Sequence, residues 1–376
     1  MRILLAPDKF KGTFTAMQVC DHLRRGILQA RPSAEVVAHP LADGGEGTLD
    51  VALAAVGGER IAVASVGPME DPLQGEVGRL ADGTVVIESA LFCGPGLVPE
   101  ERRNTMRATT YGVGAALREV LGWRPRDVLI GLGGSASVDG GMGAGKALGF
   151  RPLDEKGRVL SGGGADLARI RRIVPPVGPV VPPATRVRVL CDVDNPLVGP
   201  AGSAAVFAPQ KGATSEECRV LEAGLRRFAE VVERDLGVRV ADLQGAAAGG
   251  GAAAGLTAFL RVPLERGPSV LMEMTRFEAD LAGADLVVTG EGACDPGRHR
   301  GKVVPEVITA ARRKGVPVVI VCGRWEGDLP GADVAVIARG SQMGPADIED
   351  SGKTLAAQGF WRPRPPTLRG GSVPEG

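Results

Sequence analysis

The chain of 376 residues contains little that would tie it to a membrane, a nucleic acid or a metal cluster. No apolar run reaches the roughly 18 residues of a membrane span. The N-terminus offers one arginine and then a short strand-like run, which is not a secretory signal. The 44 basic residues balance 44 acidic ones, so no net charge favours a nucleic acid or an anionic lipid surface. The six cysteines (Cys20, Cys93, Cys191, Cys218, Cys294, Cys322) are scattered without a CxxC pair, and the three histidines do not cluster with them. Zinc sites and disulfides therefore lack support, and a reducing cytoplasm is the expected compartment. Lysine is scarce too: there are eight, and arginine carries most of the basic charge. Four of those eight (Lys9, Lys11, Lys211 and Lys302) lie in glycine-flanked polar motifs. A compact ammonium is thus kept where a loop could hold an anion, although lysine also flanks glycine in ordinary loops.

What is present reads as a two-lobed α/β protein. Arg2–Ala6 is a buried strand, and Thr15–Gln29 an amphipathic helix with apolar Val19, Leu23 and Ile27, capped by Thr13 or Thr15. Glu35–Leu41 is a second strand, and Thr48–Val56 a helix ended by Gly57-Gly58. This alternation implies a parallel sheet. After residue 60 the segments Ile61–Val66, Gly75–Leu80 and Thr84–Glu88 are short and alternating, with Asp82-Gly83 as a hairpin signal. Asp127–Gly131 and Arg186–Val193 are further strands, and Ser215–Leu236 is a long helix. Gly245–Phe259 is so rich in alanine and glycine that it must pack closely on something. The parallel pattern returns with Ala284–Thr289, the helix Val303–Lys314, Val316–Cys322 and Val334–Ala338. The simplest organisation is a Rossmann-like parallel α/β domain from residues 1–62 and 285–360, with a mixed α/β domain, 63–284, inserted and a disordered tail over 361–376.

Several glycine-rich segments carry chemistry. Ala6–Thr13 and Ala42–Thr48 each run from a strand towards a helix, where free backbone N–H groups attract anions. In the first, Asp8 suits a metal or a base, and Lys9 and Lys11 suit phosphate; a capping aspartate with two solvated lysines is the plain alternative. In the second, Gly44 and Gly45 let the backbone approach a ligand. There Asp43 suits Mg2+ or an attacking hydroxyl, or else a local turn. Gly131–Ala136 resembles a GxGxxA dinucleotide fingerprint with Asp154 at ribose distance, but Ser135, Ser137 and Asp139 equally suit a phosphate nest. Gly140–Ala147 nearly spells a P-loop, yet Ala147 replaces the Mg2+-binding hydroxyl and no strand precedes it, which leaves Lys146 as a helix-surface residue. Asp192 and Asp194 share a strand face, and with Asn195 they are hard oxygen ligands, unless they form an Asx turn. Pro209–Thr214 offers Gln210 and Lys211 before a helix. Glu291 and Gly292 stand at a strand end with Asp295 close behind, and Lys302 opens the next helix; Glu291 suits a metal or a base. Cys294 and His299 are neighbours without a third partner.

Taken in order, these segments resemble the bacterial-type glycerate kinases of the glycerate 2-kinase family. The resemblance rests on PDKFKGTFTAMQV, PLADGGEGT, GLGGSASVDGGMG followed by ALG, CDVDNPLVGPAGSAAVFAPQKGA, AAAGGGAAAGL, ADLVVTGEG and GK. It runs from the first strand to about residue 325. It implies a two-domain glycerate-kinase-like α/β fold with the active site between the domains, and ATP- and Mg2+-dependent phosphorylation of D-glycerate. Carried over motif by motif, Mg2+ falls to Asp192, Asp194 and Glu291. Charge on the transferring phosphoryl falls to Lys9, Lys11, Lys211 and Lys302, and the hydroxyl to Asp8 or Asp43. Nucleotide contacts fall to Gly44, Gly45, Gly133, Gly134, Ser135, Glu291 and Gly292. The chain departs from the family over Ala293–Arg300, which is remodelled and more basic, and by an extra glycine in the Ala/Gly segment.

In-line transfer needs positioning and charge neutralisation more than covalent steps. A dinucleotide-dependent oxidoreductase using Gly131–Ala136 and Asp154 is the alternative of another class. A sugar-acid-binding protein without turnover is a third. The partners expected are small molecules, D-glycerate and ATP, with neither nucleic acid nor membrane, and a monomer or homodimer.

Overall fold

The structure, a computed structural model, describes residues 1–294, 302–325, 334–340 and 343–357. The expectations for Asp295, His299, most of the remodelled loop and the 361–376 tail lie outside the described residues. In chain order the strands are β1 (Arg2–Leu5), β2 (Glu35–Ala38), β3 (Gly58–Val66), β4 (Pro72–Leu80), β5 (Val85–Glu88), β6 (Asp127–Gly131), β7 (Arg151–Leu153), β8 (Arg172–Val174), β9 (Arg186–Cys191), β10 (Leu264–Arg266), β11 (Leu286–Cys294), β12 (Val318–Trp325) and β13 (Val334–Ala338). The chain forms two compact units. One comprises Met1–Pro40, Arg276–Pro296 and Val307–Gly376, and the other Leu41–Thr275 and Gly297–Glu306.

The first unit holds a five-stranded sheet in the order β13-β12-β11-β1-β2, parallel throughout. Ile3, Leu4 and Leu5 of β1 are all buried, the continuous apolar run that a parallel strand covered on both faces requires. The helix Ala16–Ala30 lays Val19, Leu23 and Ile27 into the core with Ile3, Leu5, Val288 and Val321. Each such side chain contributes roughly 1.5–3 kcal/mol of apolar burial. Thr15 caps this helix, in a reciprocal capping box with Gln18.

The second unit holds a six-stranded sheet in the order β10-β9-β6-β5-β4-β3. β10, β9, β6 and β5 are parallel, and β4 and β3 run antiparallel. Asp82-Gly83 makes the β4–β5 turn as its sequence predicts: Gly83 has φ +85° and Asp82 accepts the Thr84 N–H at 2.9 Å. The helix Thr48–Val56 packs on β4 and β5, with Leu49 filling the space above Gly78. The stretch 41–62, read from sequence with the N-terminal strands, therefore belongs to this unit. β7 and β8 form a separate hairpin. The Ala/Gly segment does pack closely: three left-handed glycines, Gly249, Gly250 and Gly251, lead into a helix, Ala252–Leu260, whose nine residues are all buried. Among the described residues no helix is long and apolar enough to cross a membrane.

Candidate active site

In the first unit the ends of β1 and β11 bring one group of expected residues together. The Ala6 N–H donates to Val288 O at 2.7 Å and the Asp8 N–H to Gly290 O at 2.9 Å, so pairing continues past β1 and delivers Asp8 beside the Gly290-Glu291 peptide. Thr289 Oγ1 donates to Ala6 O at 2.8 Å and fixes the register. The buried Asp8 carboxylate accepts the Lys9 backbone N–H at 2.7 Å and has the Lys9 ammonium 3.6 Å away. A Cβ on Gly292 would stand 3.6 Å from the Lys11 nitrogen, so Gly292 borders this loop with room to spare. Asp8, Lys9, Lys11, Glu291 and Gly292 thus share the strand-end edge of a parallel sheet, where ligands of open α/β sheets bind.

The second unit assembles Asp43, Gly44, Gly45, Gly133, Gly134, Ser135 and Lys211 around the ends of β5 and β6. Asp43 Oδ1 accepts the Gly45 N–H at 3.0 Å, closing an Asx turn. Gly44 (φ +92°) and Gly47 (φ +87°) take the left-handed backbone this loop needs. A Cβ on Gly133 would overlap Gly45 Cα, so the two glycine loops lie in direct contact. Lys211 closes the group: its ammonium donates to Ser135 Oγ at 2.9 Å and to Ser137 O at 2.7 Å. A lysine from one loop and a hydroxyl after a left-handed glycine in another form a polar pair suited to an oxyanion.

Asp192 and Asp194 follow β9 in the same unit, both half-buried. Arg266 lies 3.7 Å from Asp194 and 3.1 Å from Glu306. Among the described residues no cluster of three or more His, Cys, Asp or Glu side chains could hold a metal by itself. Mg2+ does not require one: it is commonly held by one or two carboxylates, with phosphate oxygens and water completing its shell. The hard, accessible oxygens of Asp192 and Asp194 fit that requirement. Lys302 is half-buried and immediately precedes the helix Val303–Lys314.

Comparison with known proteins decides the family. The profile of the glycerate kinase family matches residues 3–348. The chain belongs to the glycerate kinase family. A glycerate kinase of Halalkalibacterium halodurans is 41% identical over 85% of this chain and 84% of its own. The glycerate 2-kinase of Escherichia coli K12 is 36% identical over 85% of this chain and 84% of its own. A crystal structure of a protein described as glycerate kinase 2 from Salmonella typhimurium LT2 superposes with a TM-score of 0.79, at 34% identity, over 95% of this chain and 97% of that one. The mixed α/β glycerate-kinase fold expected from the sequence is therefore the observed one, and the chain is a kinase with an alcohol group as acceptor.

Within this glycerate-kinase scaffold several acids turn out to be structural. Asp154 accepts the Lys156 and Arg158 backbone N–H groups, each at 2.9 Å, and the Arg158 side chain. These bonds, the Arg158 N–H foremost, hold its carboxyl below the usual range. It closes its own turn between β7 and β8, which removes the ribose acid from the dinucleotide reading. Asp139, grouped in the sequence with a phosphate nest, is fully buried and accepts from Thr110 and from the Gly141 and Gly143 N–H groups. It pins two loops, and burial pushes its carboxyl up. Lys146 in the failed P-loop donates to Ser161 O. Three of the cysteines are poor nucleophiles: burial pushes Cys20 up to about 12, and Cys93 and Cys191 up to about 11. The hydrogen bond to Cys322, reinforced by burial, pushes Cys294 up as well.

The structure adds one acid that motif reading passed over. Glu88, the last residue of β5, is buried and accepts the Leu49 N–H at 3.1 Å. It sits on the N-terminus of the Thr48–Val56 helix, where the sequence left room for a phosphate. The first loop's helix is likewise closed, by Thr15 and Gln18. Glu88 escaped notice because it follows an apolar strand and has no glycine beside it. Next to it, the buried Thr48 Oγ1 has no hydrogen-bond partner. Thr48→Val should therefore leave stability unchanged or raise it by up to about 1 kcal/mol in thermal unfolding, with kcat unaltered. A loss of turnover would show that the hydroxyl serves a ligand.

Proposed function

We propose that this protein transfers the γ-phosphoryl group of ATP to D-glycerate and releases 2-phosphoglycerate, in the cytoplasm and as a monomer or homodimer. The observation that carries the reading is the likeness, over 85% of the chain, to an Escherichia coli protein named glycerate 2-kinase. Support comes from the strand-end loops, which combine lysine, glycine and carboxylate as phosphoryl transfer requires. In this reading Asp8 or Asp43 orients or deprotonates the glycerate hydroxyl. Lys9, Lys11, Lys211 and Lys302 stabilise charge on the transferring group and on the glycerate carboxylate. Gly44, Gly45, Gly133, Gly134, Ser135 and Gly292 let backbone approach the nucleotide phosphates. Asp192, Asp194 and Glu291 are the groups that would hold Mg2+, which when bound neutralises phosphate charge.

The deciding experiment incubates the protein with ATP, Mg2+ and D-glycerate and passes the product directly to enolase. Direct consumption is expected and identifies 2-phosphoglycerate. Consumption only after a phosphoglycerate mutase would mean transfer to the 3-hydroxyl. ATP or glycerate binding without any product would point to a binding protein that has lost turnover.

A further inference from the structure

The Thr48–Val56 helix begins without a cap of its own. Its N-cap is Gly47, with a left-handed φ of +87° and no side chain to turn back on the first N–H groups. The cap comes from 39 residues further along, from the Glu88 carboxylate at the end of β5. That placement is costly for the fold, because a carboxylate only 4% exposed loses its hydration. Burial pushes the carboxyl up while the N–H groups of Leu49 and Gly47 pull it back. A serine or aspartate at the N-cap would serve the helix more cheaply, but the left-handed backbone at Gly47 disfavours a side chain there. What Glu88 provides in exchange is a fixed path for the loop containing Asp43, Gly44 and Gly45.

The next residue acts on the second loop. The Ser89 N–H donates to Gly131 O at 2.9 Å, and Ser89 Oγ donates to Gly133 O at 3.1 Å. The Gly45 and Gly133 backbones touch, so both loops hang from the end of one fully buried strand, β5.

We propose that Glu88 is a positioning residue for phosphoryl transfer, holding the Asp43–Gly47 loop in its working position from outside the loop, with Ser89 anchoring the facing Gly133 loop. This rests on the kinase reading above. Asp43 acts on substrate in that reading, and Glu88 acts through the backbone that carries Asp43.

The test uses the full chain with Glu88→Ala, Glu88→Asp and Glu88→Gln, in steady-state kinetics with ATP, Mg2+ and D-glycerate. Glutamine keeps an acceptor oxygen at the same reach, so its kcat should stay within about threefold of the parent; alanine and the shorter aspartate should lose about tenfold or more in kcat, with KM for both substrates within about threefold. Hydrogen exchange supplies a readout independent of turnover: in Glu88→Ala the amides of residues 44–49 should exchange about tenfold faster, while those of β9 keep their rates. Should Glu88→Ala not fold, the aspartate and glutamine variants decide. A folded alanine or aspartate variant with parental kcat, a glutamine variant as damaged as alanine, or unchanged exchange in that loop would each overturn the proposal. A parent protein that forms no product from D-glycerate would instead remove the kinase reading, and the exchange result would still stand or fall alone.

Discussion

Lys211→Met is expected to lower kcat by about two to three orders of magnitude, the usual loss when one preorganised charge leaves a transition state. The substitution is clean because the backbone there is held by other groups. Thr105 Oγ1 donates to Lys211 O at 2.8 Å, Gly212 takes the left-handed turn that follows, and Thr214 and Glu217 cap the next helix. Methionine keeps the length of the stem and removes the ammonium that donates to Ser135 Oγ and Ser137 O. The Ser137 carbonyl loses a partner, at a cost of about 1–2 kcal/mol, so the melting temperature should fall by only a few degrees. Lys211→Arg should recover part of the rate at most, since a planar fork does not replace a compact point charge between two oxygens. Steady-state assays with ATP and D-glycerate check both variants. Parental kcat in Lys211→Met would place this lysine outside the chemistry.

Gly250→Ala should be the most damaging single methyl in the second unit. Gly250 has φ +71°, which costs an L-residue roughly 1–2 kcal/mol. The new Cβ would also overlap the Ser137 carbonyl oxygen, a backbone atom that cannot rotate away, which adds about 1–3 kcal/mol. The sum of about 3 kcal/mol should lower the melting transition by about 6–12 °C in a unit of this size. Displacing the Ser137 carbonyl also moves the acceptor of Lys211, so turnover should fall even below the transition. Thermal unfolding followed by circular dichroism, with activity measured at low temperature, separates the two effects. A variant that melts with the parent would mean that the Ala/Gly segment has slack the structure does not show.

The parts of this fold legible in sequence are those decided locally. The strand Asp127–Gly131 and the helices Thr48–Val56, Ser215–Leu236 and Val303–Lys314 lie where period and caps put them. The β4–β5 hairpin follows from Asp82-Gly83. What period cannot reveal is which sheet an amphipathic helix covers. Thr48–Val56 has the same pattern whether it packs on β1 and β2 or on β4 and β5, and the vacancy at Gly78 that receives Leu49 is a tertiary fact. The candidate site divides in the same way. Glycine and lysine motifs marked both loop clusters, because backbone approach and compact charge leave a local trace. Glu88 left none, since its cap joins positions 39 residues apart. Asp154 and Asp139 show the converse: an acid at the right spacing for a ligand was engaged by neighbouring N–H groups.

The closed helix ends bear on how such a site would let go of what it binds. A helix terminus is rigid, and its pull on an anion is the same before and after transfer. Here the Ala16–Ala30 terminus is spent on Thr15 and Gln18, and the Thr48–Val56 terminus on Glu88. In the proposed reaction the grip on phosphate passes to lysines on jointed four-carbon stems. A stem can swing towards solvent with the departing product, whereas a helix cannot. Where product escape limits the cycle, as in many kinetically mature enzymes, a grip that can rotate away favours turnover over retention.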